Sequence, residues 1–369
     1  MKTFNEADLL ATLKDTLREM ELTVPTEIQA KVMPLLLKGR SVVGMSQTGS
    51  GKTLAFALPV LHKIKGLEVA GDPVKVEGQP RAVIMVPTRE LGEQVTRVFK
   101  PFTHNTRLRV RSALGGTTFE VSRRNIAGCF EVLVATPGRL AKLVEKGLLK
   151  LGDVRMLVFD EADQMMDPGF LQDTQRIVEA CQPTTQMALF SATISKNVQK
   201  LMDDLFLGVE LIKSSKSHKT VETLKTDNRK VINGKRLPLL DAVLTEKVSG
   251  GTLFFTNTRE QCDTLAKELE KRGRPCVVYR GEMDKLKRRQ NLKAFREGTV
   301  EFLISTDLAS RGLDIDHVGR VVNYHLPQNL DNYLHRVGRT ARAGRKGRVI
   351  NFVTERDQAL IENVAELGS

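Results

Sequence analysis

Ser46-Gln47-Thr48-Gly49-Ser50-Gly51-Lys52-Thr53 follows the apolar pair Val42-Val43 and precedes the helical run Leu54-Ala55-Phe56-Ala57-Leu58. Strand, glycine-rich loop and helix in that order are what a nucleotide phosphate loop requires. The loop amides and the helix N-terminus would hold phosphate oxygens. Lys52 would neutralise the terminal phosphates and the Thr53 hydroxyl would ligate Mg²⁺. The strict pattern has Gly where Ser46 stands, and a glycine-rich surface turn is the competing reading. A second signal favours the phosphate loop. Met156-Leu157-Val158-Phe159 reads as a buried strand, and Asp160-Glu161-Ala162-Asp163 emerges from its end, where a parallel sheet presents its ligand groups. Asp160 can hold Mg²⁺ through water while Glu161 polarises the attacking water as a general base. Acidic residues after a strand also serve as helix caps, but beside a phosphate loop the catalytic reading is the stronger.

Outward from these two sites, apolar runs at Ala82 to Val86, Val132 to Val134, Met156 to Phe159 and Phe302 to Ile304 alternate with amphipathic segments. That is the pattern of parallel sheets flanked by helices, so the class is α/β. The halves also repeat. Thr88-Arg89-Glu90 matches Thr258-Arg259-Glu260, and the strand ending at Thr136 matches the one ending at Thr306, both at an offset of 170 residues. Two matches at one offset favour duplication of a single domain over coincidence. The polar stretch 213–220 lacks apolar periodicity and reads as a flexible linker, giving domains at 1–212 and 221–369. Adding the offset to Lys52 points to Glu222, where no glycine-rich loop exists. The second half offers instead His335-Arg336-Val337-Gly338-Arg339-Thr340-Ala341-Arg342, with arginines three apart on one face if helical. These read either as a solvated basic helix or, better, as arginines inserted across a cleft onto a γ-phosphate.

The chain of 369 residues carries 57 basic and 44 acidic side chains, net +13, and that surplus points to a polyanionic partner. Residues 1–210 hold 27 basic and 24 acidic side chains, net +3, so most of the excess lies beyond them. The run Lys285 to Arg289 is read equally as a solvated helix face or a phosphate-contacting surface. Aromatics are only 5% of residues and Trp is absent, which argues against base-stacking platforms and for binding through the sugar-phosphate backbone. The four cysteines form no C-x-x-C pair and read as buried thiols in a reducing compartment rather than a zinc site. No run approaches the length of a membrane-spanning helix and the N-terminus is unlike a signal peptide. The expectation is a soluble, cytoplasmic monomer without membrane association.

With these motifs in this order the sequence resembles the DEAD-box ATP-dependent RNA helicases, over nearly its whole length. The resemblance implies two tandem RecA-like domains, ATP and Mg²⁺ as cofactors, and RNA as partner, single-stranded or in short duplexes, bound with little sequence preference. It implies that Phe4 stacks on adenine, that Gln29 in Pro25-Thr26-Glu27-Ile28-Gln29 reads its edge, and that Asp314 contacts the ribose. Gln47, Thr48, Gly49, Ser50 and Gly51 complete the ATP site. Ser191 and Thr193, with Asp163 and His335, would couple hydrolysis to domain closure, and Arg339 and Arg342 would contact the γ-phosphate. RNA contacts would come from Pro87, Thr88, Arg89, Gly115, Gly116, Thr136, Pro137, Gly138 and Arg139 in the first domain and Thr258, Arg259, Arg288 and Thr306 in the second. Glu21-Leu22, Ser46, Gly92, Lys285 and Ala341 depart from the family pattern, and none removes a group assigned to chemistry.

Three functional readings follow. The leading one is an ATP-dependent RNA helicase that separates short duplexes or remodels RNA–protein complexes by bending one strand on closure. A DNA-directed motor on the same core and an ATP-gated RNA clamp are the others.

Overall fold

Strands buried along their whole length need cover on both faces, and the central strands of both sheets in this chain are of that kind. The computed structural model describes all residues except 47–48, 166–167, 193–197, 200–208, 215–223, 282, 308–317, 341–346 and 367–369. It divides into two compact units, Met1–Ser217 and His218–Ser369.

The first unit is one parallel sheet of β1 (Val42–Met45), β2 (Ala82–Met85), β3 (Val110–Ala113), β4 (Val132–Ala135), β5 (Met156–Asp160), β6 (Gln186–Ser191) and β7 (Glu210–Lys213), in the order β3-β4-β2-β5-β6-β1-β7. Alternate residues feed two cores. Val42, Ile84, Val134, Val158 and Phe190 join one with α1 (Ala11–Glu19), α2 (Glu27–Leu37), α3 (Lys52–Val69) and α4 (Arg89–Thr106). Val43, Val83, Leu133, Phe159 and Leu189 join the other, with Leu140 and Leu143 of α6 (Pro137–Glu145) and Ile177 of α8 (Pro168–Glu179). Between these lie α5 (Phe119–Asn125) and α7 (Ala162–Met165). Each fully buried Val, Leu or Phe contributes about 1.5–3 kcal/mol, so the period-two alternation fixes which helix covers which face.

The second unit is a parallel sheet of β8 (Leu224–Lys230), β9 (Gly251–Thr256), β10 (Cys276–Tyr279), β11 (Phe302–Thr306), β12 (Val318–Asn323) and β13 (Gly347–Val353), ordered β10-β11-β9-β12-β13-β8. Its helices are α9 (Leu237–Thr245), α10 (Arg259–Lys271), α11 (Lys285–Arg296), α12 (Leu330–Val337) and α13 (Gln358–Glu366). Adding seven to each of the first six strands reproduces this order, so the repeat seen in the sequence is a repeat of topology. Even the caps match: Thr88 Oγ1 accepts from the Leu91 amide, and Thr258 Oγ1 accepts from the Gln261 amide, each 3.3 Å.

Some expectations need correction. The offset of 170 holds at β2/β9 and β4/β11, but β1 and β8 begin 182 residues apart. Glu222 precedes β8 and lies outside the described residues. The true counterpart of the phosphate loop is the turn after β8, where Ile232 bridges Lys235 around Asn233 (φ 50°) and Gly234 (φ 69°). Such an Asn-Gly turn is a hairpin connection, not an anion cradle. Arg336 and Arg339 do not share a helix face, because α12 ends at Val337, before Arg339. Of the cysteines only Cys262 is buried, and the other three are half-buried. No described helix is long and apolar enough to cross a membrane.

Candidate active site and nucleic-acid interface

Three adjacent strands of the first sheet, β5, β6 and β1, end in the groups proposed for nucleotide chemistry. Gly51 caps the N-terminus of α3 with φ 87°, a left-handed conformation that only glycine adopts at little cost. A Cβ there would lie 2.5 Å from Gln29 Nε2. Gln29 Nε2 donates to the Gly51 carbonyl at 2.9 Å, while its Oε1 accepts from the Thr26 amide at 2.8 Å as part of the capping box of α2. One amide thus ties the start of α2 to the phosphate loop. Within the loop Ser46 Oγ lies 2.8 Å from Ser50 Oγ, and the buried Lys52 donates from Nζ to the Ser46 carbonyl at 2.7 Å. A serine where the strict pattern has glycine is therefore accommodated by a hydroxyl pair. Thr53 follows Lys52 at the first turn of α3, half-buried. Gln47 and Thr48 lie outside the described residues.

Asp160 ends β5 and is only 2% exposed. Burial pushes its carboxyl up to about 7, with Lys52 pulling the other way and Glu161 adding to the rise. Such a carboxylate calls for a cation beside it. Glu161 is buried, with φ 55°, a conformation that costs a non-glycine residue about 1–3 kcal/mol and is tolerated where the surroundings enforce it. They do so here: the Glu161 amide donates to Asp160 Oδ1 at 3.1 Å, and Gln164 Nε2 donates to Glu161 Oε2 at 2.6 Å. Gln164, one residue past the acidic quartet, was not among the residues singled out from the sequence. Its signal is only the i+3 spacing that places it on the same helical turn. Ser191 closes β6, and its carbonyl accepts from the Ser46 amide at 3.1 Å. Phe4 is 3% exposed and packs in the core beside α1. Thr193 lies outside the described residues.

The other half of the same sheet, β3, β4 and β2, gathers the residues proposed for nucleic acid. Pro87 and Thr88 follow β2, and Arg89 reaches from the start of α4 to the Gly116 carbonyl (Nη1, 3.5 Å) and to Glu93 (2.7 Å). The Gly115 amide donates to Thr136 Oγ1 at 3.0 Å, and Arg139 donates to the Thr117 carbonyl and lies 5.9 Å from the Phe119 ring centre. Thr136, Pro137 and Gly138 open α6 after β4. Residues far apart in sequence are thus one cluster of hydroxyls, amides and guanidinium groups.

In the second unit the equivalent strands β10, β11 and β9 carry the equivalent groups. Thr258 and Arg259 open α10 after β9, Thr306 ends β11, and the Arg288 guanidinium sits 5.3 Å from the Tyr279 ring centre at the end of β10. Around Arg288, Leu286, Lys287 and Arg289 are exposed. His335 and Arg339 are both buried, with Arg339 Nε donating to the His335 carbonyl at 3.2 Å. Arg336 sits deeper, 1% exposed. It pairs with Asp307 through two nitrogens, donates to Asn323, the His325 carbonyl and Asn257, and stacks 5.0 Å from the Phe255 ring centre. It is an internal strut that basic spacing alone does not distinguish from a phosphate-contacting arginine. Asp314 and Arg342 lie outside the described residues.

Comparison with known proteins accords with this division. The family profile described as DEAD/DEAH box helicase matches residues 26–201, and that of the helicase conserved C-terminal domain matches residues 234–344. The chain is 36% identical to DEAD-box ATP-dependent RNA helicase 39 of Arabidopsis thaliana over 99% of its own length and 61% of that protein's. It is 33% identical to RNA helicase CrhR of Synechocystis sp., over 98% of its own length and 72% of the relative's. The chain therefore spans under two thirds of the first relative. Among solved structures, that of S. cerevisiae Dbp5 bound to RNA and ADP BeF3 is similar with a TM-score of 0.86 at 27% identity, covering 100% of this chain and 94% of that one.

Proposed function

Because the chain belongs to the DEAD/DEAH box helicases, we propose that it is an RNA-dependent ATPase whose two RecA-like units close on one RNA strand and so separate short duplexes. The observation that carries this reading is the division of each sheet. The groups proposed for the nucleotide stand at the ends of β5, β6 and β1 and those proposed for RNA at the ends of β3, β4 and β2, and among the described residues the RNA group recurs in part in the second unit, as Thr258-Arg259 and Thr306. One nucleotide site and two RNA half-sites suit an enzyme in which RNA completes the catalytic arrangement.

The residues fit ATP with Mg²⁺. A buried carboxylate held near 7 at Asp160, facing a phosphate loop, matches a divalent cation held by Asp160 through water and by Thr53. Bound Mg²⁺ would supply charge neutralisation on the phosphate oxygens. Lys52, now on the Ser46 carbonyl, would turn to the terminal phosphates. Glu161, fixed by Gln164, would take the proton of the attacking water. Arg339 and Arg342 would reach the γ-phosphate only with both units engaged, which makes hydrolysis conditional on RNA. Thr88, Arg89, Gly115, Gly116, Thr136 and Arg139, with Thr258, Arg259, Arg288 and Thr306, would hold backbone phosphates and 2′-hydroxyls, giving little sequence preference.

The test is strand separation of a labelled short duplex, RNA against DNA, with ATP. RNA duplex separated and DNA duplex left intact is the expected result. Equal separation of both would favour a DNA-directed motor, and RNA bound without separation would favour a clamp.

A further inference from the structure

The net charge of +3 over residues 1–210 conceals a concentration of cations at one edge of the first sheet. Among the described residues β3 is the edge strand, with α4 and α5 packed beside it. Arg97 and Lys100 on α4, Arg107 at its C-cap, Arg111 on β3 and Arg124 on α5 are all exposed. None of these five side chains has an ion pair or hydrogen bond among the described residues. The acids nearby are already matched: Glu93 with Arg89 at 2.7 Å, Glu120 with Arg123 at 4.0 Å, and Glu131 with Arg109. Five positive charges are left facing solvent, at a cost in mutual repulsion that isolated surface charges avoid.

Their placement gives that excess a direction. α4 begins at Arg89, in the proposed RNA cluster, and Lys100 lies eleven residues on, about 16 Å along the axis at 1.5 Å per residue. Between α4 and β3 runs an open groove of about 250 Å³, lined among others by Arg97, Lys100, Val110 and Ser112. Cations on an edge strand also deter pairing with another sheet. That role would involve Arg111 but not Arg97 or Lys100, which project from the helix.

We infer that this edge is a second RNA-backbone surface, which takes the stretch of RNA continuing past the strand held at Arg89, Gly116 and Arg139. The inference rests on the RNA reading above and extends it: RNA longer than the core site is bound more tightly, through phosphates and without regard to sequence.

The experiment compares the parent with Arg97→Gln/Lys100→Gln and, separately, Arg111→Gln/Arg124→Gln. The concentration for half-maximal ATPase is measured over single-stranded oligoribonucleotides of increasing length and at several salt concentrations. Both variants should match the parent on the shortest active oligonucleotides. On long ones they should need on the order of tenfold more RNA, with the slope of log affinity against log salt reduced by about 0.7 for each phosphate no longer neutralised. Curves that coincide at every length would overturn the inference, as would a shift equal at all lengths. Using two pairs on different elements keeps the test valid if one of them folds poorly. A parent whose ATPase ignores RNA altogether would instead contradict the reading on which the inference rests.

Discussion

Glu161 meets three demands at once: burial, a left-handed backbone and a carboxylate oriented by Gln164 at 2.6 Å. Substituting Glu161→Gln keeps the shape and an oxygen able to accept from Gln164, and removes the basicity. Turnover should fall by about 10²–10⁴ with ATP affinity little changed, as steady-state ATPase and nucleotide titration together would reveal. Activity within a few-fold of the parent would remove Glu161 from the mechanism. Gly51 tests the phosphate loop differently. In Gly51→Ala the new methyl would lie 2.5 Å from Gln29 Nε2 at φ 87°, and the left-handed conformation alone costs about 1–2 kcal/mol. The loop must shift, and ATP affinity should drop about tenfold or more; an unchanged affinity would contradict the close packing described. The positions of Lys52, Asp160 and Glu161 at or after strand ends were legible because a phosphate loop and an acidic strand end have fixed spacing. The Gln164 and Gln29 contacts were less so, since a contact across a turn or between helices leaves no pattern in the residues between.

At the scale of elements, duplication was legible where strand ends and caps kept their residues, at Thr88/Thr258 and Thr136/Thr306. It failed at β1/β8 because 12 further residues intervene, a difference of 182 − 170, and because the replacing hairpin Asn233-Gly234-Lys235 keeps only a Gly-Lys pair of the phosphate loop's pattern. The role of Arg336 was equally hidden: one arginine in a basic run became the internal brace between β9, β11 and α12. Breaking a buried pair leaves a charge uncompensated, so Arg336→Met should destabilise the second unit by about 3–5 kcal/mol in denaturant unfolding. A loss under about 1 kcal/mol would mean that Asp307 finds solvent instead.

His325, beside that brace, gives the second unit a pH dependence. Burial first, then Arg236 and Arg336, lower its pKa from 6.5 to about 4. Between those values the unfolded chain binds a proton that the folded unit does not, so stability falls as pH drops from 6.5 towards 4. Melting temperatures at pH 7 and pH 5 should differ less in His325→Phe than in the parent. An equal difference in both would assign the pH dependence to other groups.

For the molecule as a whole, the net charge of +13 points to a polyanion, in keeping with the RNA reading proposed above. A sum over half the chain missed the basic edge of the first sheet, because local excess depends on which acids fold next to which bases. The central claim is that catalytic competence is shared between two units that RNA brings into one arrangement. The site proposed for ATP lies in one unit, the arginines proposed for its γ-phosphate in the other, and the proposed RNA contacts in both. Steady-state ATP hydrolysis by the full chain, with no nucleic acid, with single-stranded RNA and with single-stranded DNA of the same sequence, tests this most directly. The account predicts slow hydrolysis alone, a large rise in kcat with RNA and little response to DNA; a kcat that is the same with and without RNA would contradict it.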